Sequence, residues 1–229
     1  MSRLALLAVL LACVLGMAAC GGDDSAESTA TPESTPAPAE TAGCEKVDPP
    51  APKGEGNLAK PKDKLKAGGT YVATVSTSCG DFKIQLDAKR APRTGGSFKY
   101  LADKGFYDGL TFHRIVAGFV IQGGDPAGNG TGGPGYSVVE APPNNLSYTK
   151  GVVAMAKTQD EKPGTSGSQF FVVTAEDAGL PPDYALLGKV TAGQDVVDTI
   201  GVAESDPSTE QPLDPIVIQS VKVTGGQAP

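Results

Sequence analysis

An arginine inside an otherwise apolar run is the residue of this sequence most suited to chemistry. In Phe112-His113-Arg114-Ile115-Val116-Ala117-Gly118-Phe119-Val120-Ile121-Gln122-Gly123-Gly124-Asp125, His113 and Arg114 interrupt what otherwise reads as buried strand. A guanidinium stays charged and presents a rigid fork of donors, so it can serve an electron-rich atom at a fixed place. Alternation in the second half sets Phe119 and Ile121 on one side, Val120 and Gln122 on the other. A bend at Ala117-Gly118 then brings Arg114, Phe119 and Gln122 together, and Gly123-Gly124-Asp125 ends the strand with turn chemistry. The plainer alternative is a core strand pair whose arginine reaches outward along its own aliphatic stem.

Other chemistries are short of residues. His113 is the only histidine, so a Ser-His-Asp or Cys-His device would have to use it, and no partnered serine or cysteine surrounds it. A metal site built from several histidines cannot be made, and Cys13, Cys20, Cys44 and Cys79 contain no Cys-x-x-Cys pair. Neither metal nor cofactor is expected. The glycine-rich run 126–135 invites a phosphate-cradle reading, but no Gly-Lys-Ser/Thr follows and no helix opens after it, so a long surface loop is the better account. A formal charge of −7 argues against nucleic acid or an acidic membrane surface as the main partner.

The elements that must carry Arg114 are short and mostly strands. Thr70–Thr77 and Phe82–Leu86 alternate around the turn Ser78-Cys79-Gly80-Asp81, and further strands are expected at Gly151–Ala156, Ser168–Thr174, Tyr184–Val190 and Pro215–Val223. Ala91-Pro92 suits a helix start, Phe98, Leu101 and Ala102 follow at helical spacing, and Gly105 ends it. A second short helix fits Gln194–Ile200. Many strands with two helices suggest a closed antiparallel barrel, and a barrel of about eight strands is filled by its own side chains, so its site must lie on the outer wall.

The chain of 229 residues carries extensions before this domain. Arg3 and the apolar run after it read as an export signal over 1–19, too short for the roughly 20 residues of a spanning helix. Met17-Ala18-Ala19-Cys20 resembles a bacterial lipobox with Cys20 as the lipidated residue. Leu10-Leu11-Ala12-Cys13 is the competing site, and an ordinary secretory signal is the alternative to both. Residues 21–43 contain only Gly, Asp, Ser, Ala, Glu, Thr and Pro and read as a flexible tether reaching about 25–30 Å. Val47–Lys66, rich in Pro and Lys, reads as an irregular arm, so that 20–66 precede a domain at 67–224 and a tail at 225–229. In an oxidising compartment Cys44 and Cys79 are most simply a disulfide, stabilising by about 3–4 kcal/mol in the chain-entropy model; the alternative is two free thiols.

Phe112–Asp125, Gly130-Thr131-Gly132-Gly133, Gly167-Ser168-Gln169-Phe170-Phe171 and Leu187-Gly188-Lys189-Val190 together resemble the cyclophilin-type peptidyl-prolyl cis-trans isomerases, in matching order over roughly residues 70–223. The resemblance implies an all-β fold, a closed eight-stranded antiparallel barrel capped by two α-helices. It makes Arg114 the catalytic arginine, with Gln122 anchoring it or the substrate carbonyl. Phe119, Val120, Gln169 and Phe171 fall on the proline pocket and adjoining groove, Leu180 on a pocket wall, and Ala156 and Lys157 on a segment whose backbone meets the substrate. Tyr184 stands where many members have His. The implied partners are proline-containing polypeptides, met by a monomer that touches the membrane only through a lipid anchor on the extracytoplasmic face.

Three departures bear on recognition. The chain has no Trp for the groove position near Gly179 that the family links to tight cyclosporin binding. Lys157-Thr158 replaces the common Asn-Ala ahead of a longer Gln159–Gly164 stretch, and Val120 stands where Met is frequent. They leave open a rival to the enzyme, a barrel that grips proline-containing chains as a chaperone or adaptor with little turnover.

Overall fold

The computed structural model describes residues 43–226. The signal, both candidate lipidation cysteines, the tether up to residue 42 and the last three residues lie outside them. Tyr71–Thr77 (β1) and Gly80–Leu86 (β2) form the first hairpin, closed by the Thr77 hydroxyl, which accepts from the Cys79 N–H and donates to the Gly80 carbonyl. Helix α1, Pro92–Asp103, starts with proline in its first turn and buries Phe98, Leu101 and Ala102. It has no cap of its own. The carboxylate of Glu140 instead accepts from the N–H groups of Arg93 and Thr94, satisfying donors that a helix start leaves free.

Leu110–Val116 (β3) and Val120–Gly123 (β4) follow, then Val138–Val139 (β5), Val152–Met155 (β6), Thr165–Ser166 (β7), Phe170–Val173 (β8), Leu186–Ala192 (β9), helix α2 at Gln194–Gly201, and Val217–Gly225 (β10). Eight strands close an antiparallel barrel in the order β1-β10-β3-β4-β8-β6-β9-β2, as the sequence implied. β5 and β7 make a separate two-stranded ribbon that the sequence did not signal.

Side-chain alternation divides the core. Phe82, Phe112, Ile121, Phe170 and Val172 belong to one buried cluster, while Val120, Phe171 and Val173 belong to a second. Neighbours on β8 therefore face opposite ways, and the second cluster underlies the outer wall. In the first, the Phe170 ring meets Phe112, Phe98 and Tyr107 edge to face at 5.7–6.0 Å.

Three strands start two residues later than expected. Tyr184 stays out of β9 because its backbone is served by a side chain: the Tyr148 hydroxyl accepts from its N–H and donates to its carbonyl. Ser168 precedes β8 because its hydroxyl donates to the Gly124 carbonyl and its own carbonyl accepts from Tyr107. β10 is displaced to Val217–Gly225, since Pro215 has no N–H to give a ladder.

The arm before β1 has no regular structure but is bonded along its length. Glu45, Lys53, Gly56, Leu58 and Leu65 donate backbone N–H groups to the carbonyls of Ser78, Pro126, Gly133, Pro134 and Pro92. Cys44 and Cys79 form a disulfide, tying the arm to the first hairpin.

Candidate active site

A bulge explains how a charged residue sits in an apolar run. In the β3–β4 ladder Phe112 pairs with Gly123 and Arg114 with Gln122, so His113 is an extra residue on β3. Phe112 and Ile115 can both face the barrel core while Arg114, between them, faces outward with Gln122. Without the inserted residue, strict alternation would turn Arg114 into the core whenever Phe112 faced it. His113 takes the cost: it is buried, neither ring nitrogen has a hydrogen-bond partner among the described residues, and burial lowers its pKa. It therefore stays neutral, and among the described residues no serine or cysteine hydrogen-bonds to it as a base–nucleophile pair would require.

Side chains brace Arg114 in series. Its Nη1 donates to Gln122 Oε1 at 3.4 Å, the Gln122 amide donates to Gln169 Oε1 at 3.0 Å, and the Gln169 amide donates to the carbonyls of Gly130 and Gly132. The glycine-rich loop thus anchors a polar chain that ends on the guanidinium. It is not a phosphate cradle, because the Asp125 carboxylate already accepts from the N–H groups of Ala127, Asn129 and Gly130.

Arg114, Phe119, Val120, Gln122, Ala156, Lys157, Phe171, Leu180 and Tyr184 line one cavity of about 200 Å³. Gln169 lines the neighbouring, more polar cleft of about 470 Å³, together with Gln122, Ala156 and Lys157. Every substrate-site residue expected from the sequence therefore lines one or the other of two cavities that share Gln122, Ala156 and Lys157. Phe119 arrives by a different route from the one alternation gave. It lies in the turn ahead of β4, outside the strand's in–out rhythm, and borders the cavity beside Val120 while Ile121 alone enters the barrel.

The floor is aromatic. Phe171 and Tyr184 meet edge to face at 5.4 Å, and Tyr148 packs behind both at 6.0–6.1 Å. Burial pushes the Tyr148 hydroxyl up to about 12, so it remains a donor to the Tyr184 carbonyl at physiological pH. Lys157 contributes to the wall through a locked side chain. Its Nζ lies 2.8 Å from Asp183, donates to the carbonyls of Thr158 and Glu161, and sits 5.6 Å from the Tyr184 ring centre. With the side chain only 5% exposed, it staples the long 159–164 stretch to the pocket, and only its backbone is left for a substrate.

Tyr148, Asp183 and Glu210 were missed from the sequence. Glu210 Oε2 lies 2.5 Å from Arg114 Nε across 96 residues of chain, and no local pattern marks such a partner. Among the described residues Nη2 of Arg114 has no protein partner, so the guanidinium keeps one donor edge for whatever enters the cavity. The arrangement offers a partly aromatic, ring-sized recess with a cation at its side, and among the described residues no serine, threonine or cysteine lines it.

Comparison with known proteins agrees with this geometry. Residues 72–223 match the family model described as cyclophilin type peptidyl-prolyl cis-trans isomerase/CLD. The chain is 41% identical over 170 residues to peptidyl-prolyl cis-trans isomerase B of Streptomyces anulatus, covering 66% of this chain and 95% of that one. It is 37% identical over 173 residues to peptidyl-prolyl cis-trans isomerase A of Mycobacterium tuberculosis, covering 68% and 93%. The crystal structure of a Cryptosporidium parvum cyclophilin type peptidyl-prolyl cis-trans isomerase superposes with a TM-score of 0.62 at 32% identity, covering 68% of this chain and 98% of that one.

Proposed function

This chain belongs to the cyclophilin-type peptidyl-prolyl cis-trans isomerases and is an enzyme of that kind, and we propose that it works on exported proteins, using Arg114 as its catalytic residue. Prolyl rotation is slow because amide resonance must be broken. In the twisted transition state the imide nitrogen regains a lone pair. A guanidinium beside that nitrogen stabilises the twisted state more than the planar one, and only such a difference raises rate. The proline ring fits between Phe119, Phe171 and Leu180, Gln122 holds the guanidinium or the substrate carbonyl, and the backbone of Ala156 and Lys157 receives the peptide. Tyr184, Val120 and Gln169 shape the rim.

The observation that carries this reading is the pairing of Arg114 with Gln122 on the wall of an aromatic cavity. Exchange of a short X-Pro peptide, followed by NMR or a protease-coupled assay, tests it. Saturable binding without faster exchange would favour a proline-peptide-binding chaperone or adaptor instead.

Export and anchoring rest on the leader sequence. A signal read to end at Ala19, a lipobox-like site at Cys20 and the polar composition of the tether support a monomeric enzyme held on the extracytoplasmic face of a membrane. The Cys44–Cys79 disulfide supports that placement, because disulfides persist in oxidising compartments. Fractionation of cells, with and without removal of the leader, tests it. Enzyme remaining in the cytoplasm with its leader intact would overturn it.

A further inference from the structure

We propose that Glu210 is a positioning residue that fixes the plane of the Arg114 guanidinium for prolyl isomerisation; this rests on the reading of Arg114 as catalytic. Two observations converge on Glu210. Its carboxylate is paired with Arg114 Nε at 2.5 Å. It is also the only non-glycine among the described residues with a positive φ, at 59°. A side chain in that region is unfavourable and persists only where the surroundings enforce it.

The surroundings do enforce it. The Glu210 N–H donates to the Asp206 carbonyl, and its own carbonyl accepts from the N–H of Ile115, the residue after Arg114. The Ser205 hydroxyl donates to the Ile115 carbonyl, and the Asp206 carboxylate gathers the N–H groups of Ser208 and Thr209. The loop is thus clamped to β3 at the position where its strained residue can reach Arg114.

Stability does not account for this arrangement. The two side chains are 34% and 39% exposed, and an ion pair that open to water adds little. Geometry does account for it. Glu210 holds Nε while Gln122 holds Nη1, and two acceptors on different nitrogens of one planar group fix both its plane and its rotation. Nη2 is left without a protein partner among the described residues, on a side chain that lines the cavity. The carboxylate also offsets part of the guanidinium charge, but solvent screens that loss at this exposure, whereas the orientation it imposes is undiminished.

The experiment measures on-enzyme exchange rate and peptide affinity separately, by NMR, for wild type and for Glu210→Gly, Glu210→Gln, Arg114→Ala and the double variant Glu210→Gly with Arg114→Ala. Glu210→Gly should slow on-enzyme exchange about tenfold with peptide affinity nearly unchanged, and its Tm should not fall, because glycine tolerates the backbone there. Glu210→Gln keeps an acceptor for Nε and should recover most of the rate. In the Arg114→Ala background the glycine should add no further loss. Should Glu210→Gly unfold the loop, Glu210→Asn is the substitute, since Asn accepts positive φ but is too short to reach Nε. Wild-type or faster exchange in folded Glu210→Gly, with Arg114→Ala inactive, overturns the role of Glu210 alone. Full activity in Arg114→Ala overturns the reading of Arg114 itself.

Discussion

One hydroxyl ties Tyr148 to Tyr184: it donates to the Tyr184 carbonyl at 2.6 Å and accepts from the Tyr184 N–H at 3.0 Å. The pocket wall is therefore held by a side chain at the point where the β9 ladder stops. Tyr148→Phe would leave a backbone donor and acceptor without partners, at a cost of about 1–3 kcal/mol. Denaturant unfolding should show that loss, and the X-Pro peptide should bind more weakly because Tyr184 is less fixed.

The same hydroxyl predicts an alkaline limit. Its pKa is raised by burial, to about 12 in the folded state against an ordinary value of 10.0. The neutral form is the one that folding favours, so its contribution is fully present below pH 10 and is lost as pH rises through about 12. An ultraviolet titration of wild type should show one late-ionising tyrosine more than that of Tyr148→Phe. Identical titrations would mean that the hydroxyl is not held as described.

Lys157→Met should separate the pocket from the 159–164 stretch. The lysine is buried and Asp183 is 31% exposed, so removing the cation leaves a carboxylate that water can partly reach. The cost should be about 1–2 kcal/mol, below the 3–5 of a fully buried pair. Since the substitution leaves Arg114 and its partners Glu210 and Gln122 in place, the change should appear in which residue is preferred before proline more than in kcat. A panel of X-Pro peptides reads this directly.

Much of this site was legible in the sequence because its residues are close along the chain. Arg114, Phe119 and Gln122 lie on one hairpin, and their motif spacing is sufficient to bring them together. Two kinds of information were not legible. The inserted His113 changes the parity of β3, and no residue type announces a bulge; it reads as a broken apolar run until the β4 register is known. The staples on the pocket come from afar, Glu210 from the loop before β10 and Asp183 from the segment before β9, as charged residues in polar loops with nothing local to distinguish them. Lys157 was assigned to substrate contact by position, and only the packed structure shows its ammonium spent on Asp183 and two carbonyls.

The Cys44–Cys79 bond closes a loop spanning 35 positions, which should stabilise the fold by about 3–4 kcal/mol in the chain-entropy model. Replacing both cysteines with serine should lower Tm and expose residues 43–66 to protease. Peptide turnover should persist, because neither cysteine lines the cavity. Loss of activity in a folded double-serine variant would show that the arm acts on the site.

Arg114 carries the sharpest prediction. Among the described residues it makes one ion pair and one long hydrogen bond and is partly open to solvent, so a purely structural role would be worth less than about 1 kcal/mol. If it stabilises the twisted imide nitrogen, Arg114→Ala should lower kcat/KM by about 2–4 kcal/mol, tens to several hundredfold, with Tm close to wild type. Arg114→Lys should be severely impaired as well. An ammonium carries its donors on a single nitrogen and cannot meet Glu210 and Gln122 at once with the spaced, planar arrangement of the guanidinium. Exchange rates of one X-Pro peptide with both variants, measured beside their melting curves, separate a catalytic loss from a folding one. A folded Arg114→Ala protein that isomerises at near the wild-type rate would sink the mechanism, and the rate enhancement would then have to come from the aromatic recess and the peptide-binding backbone alone.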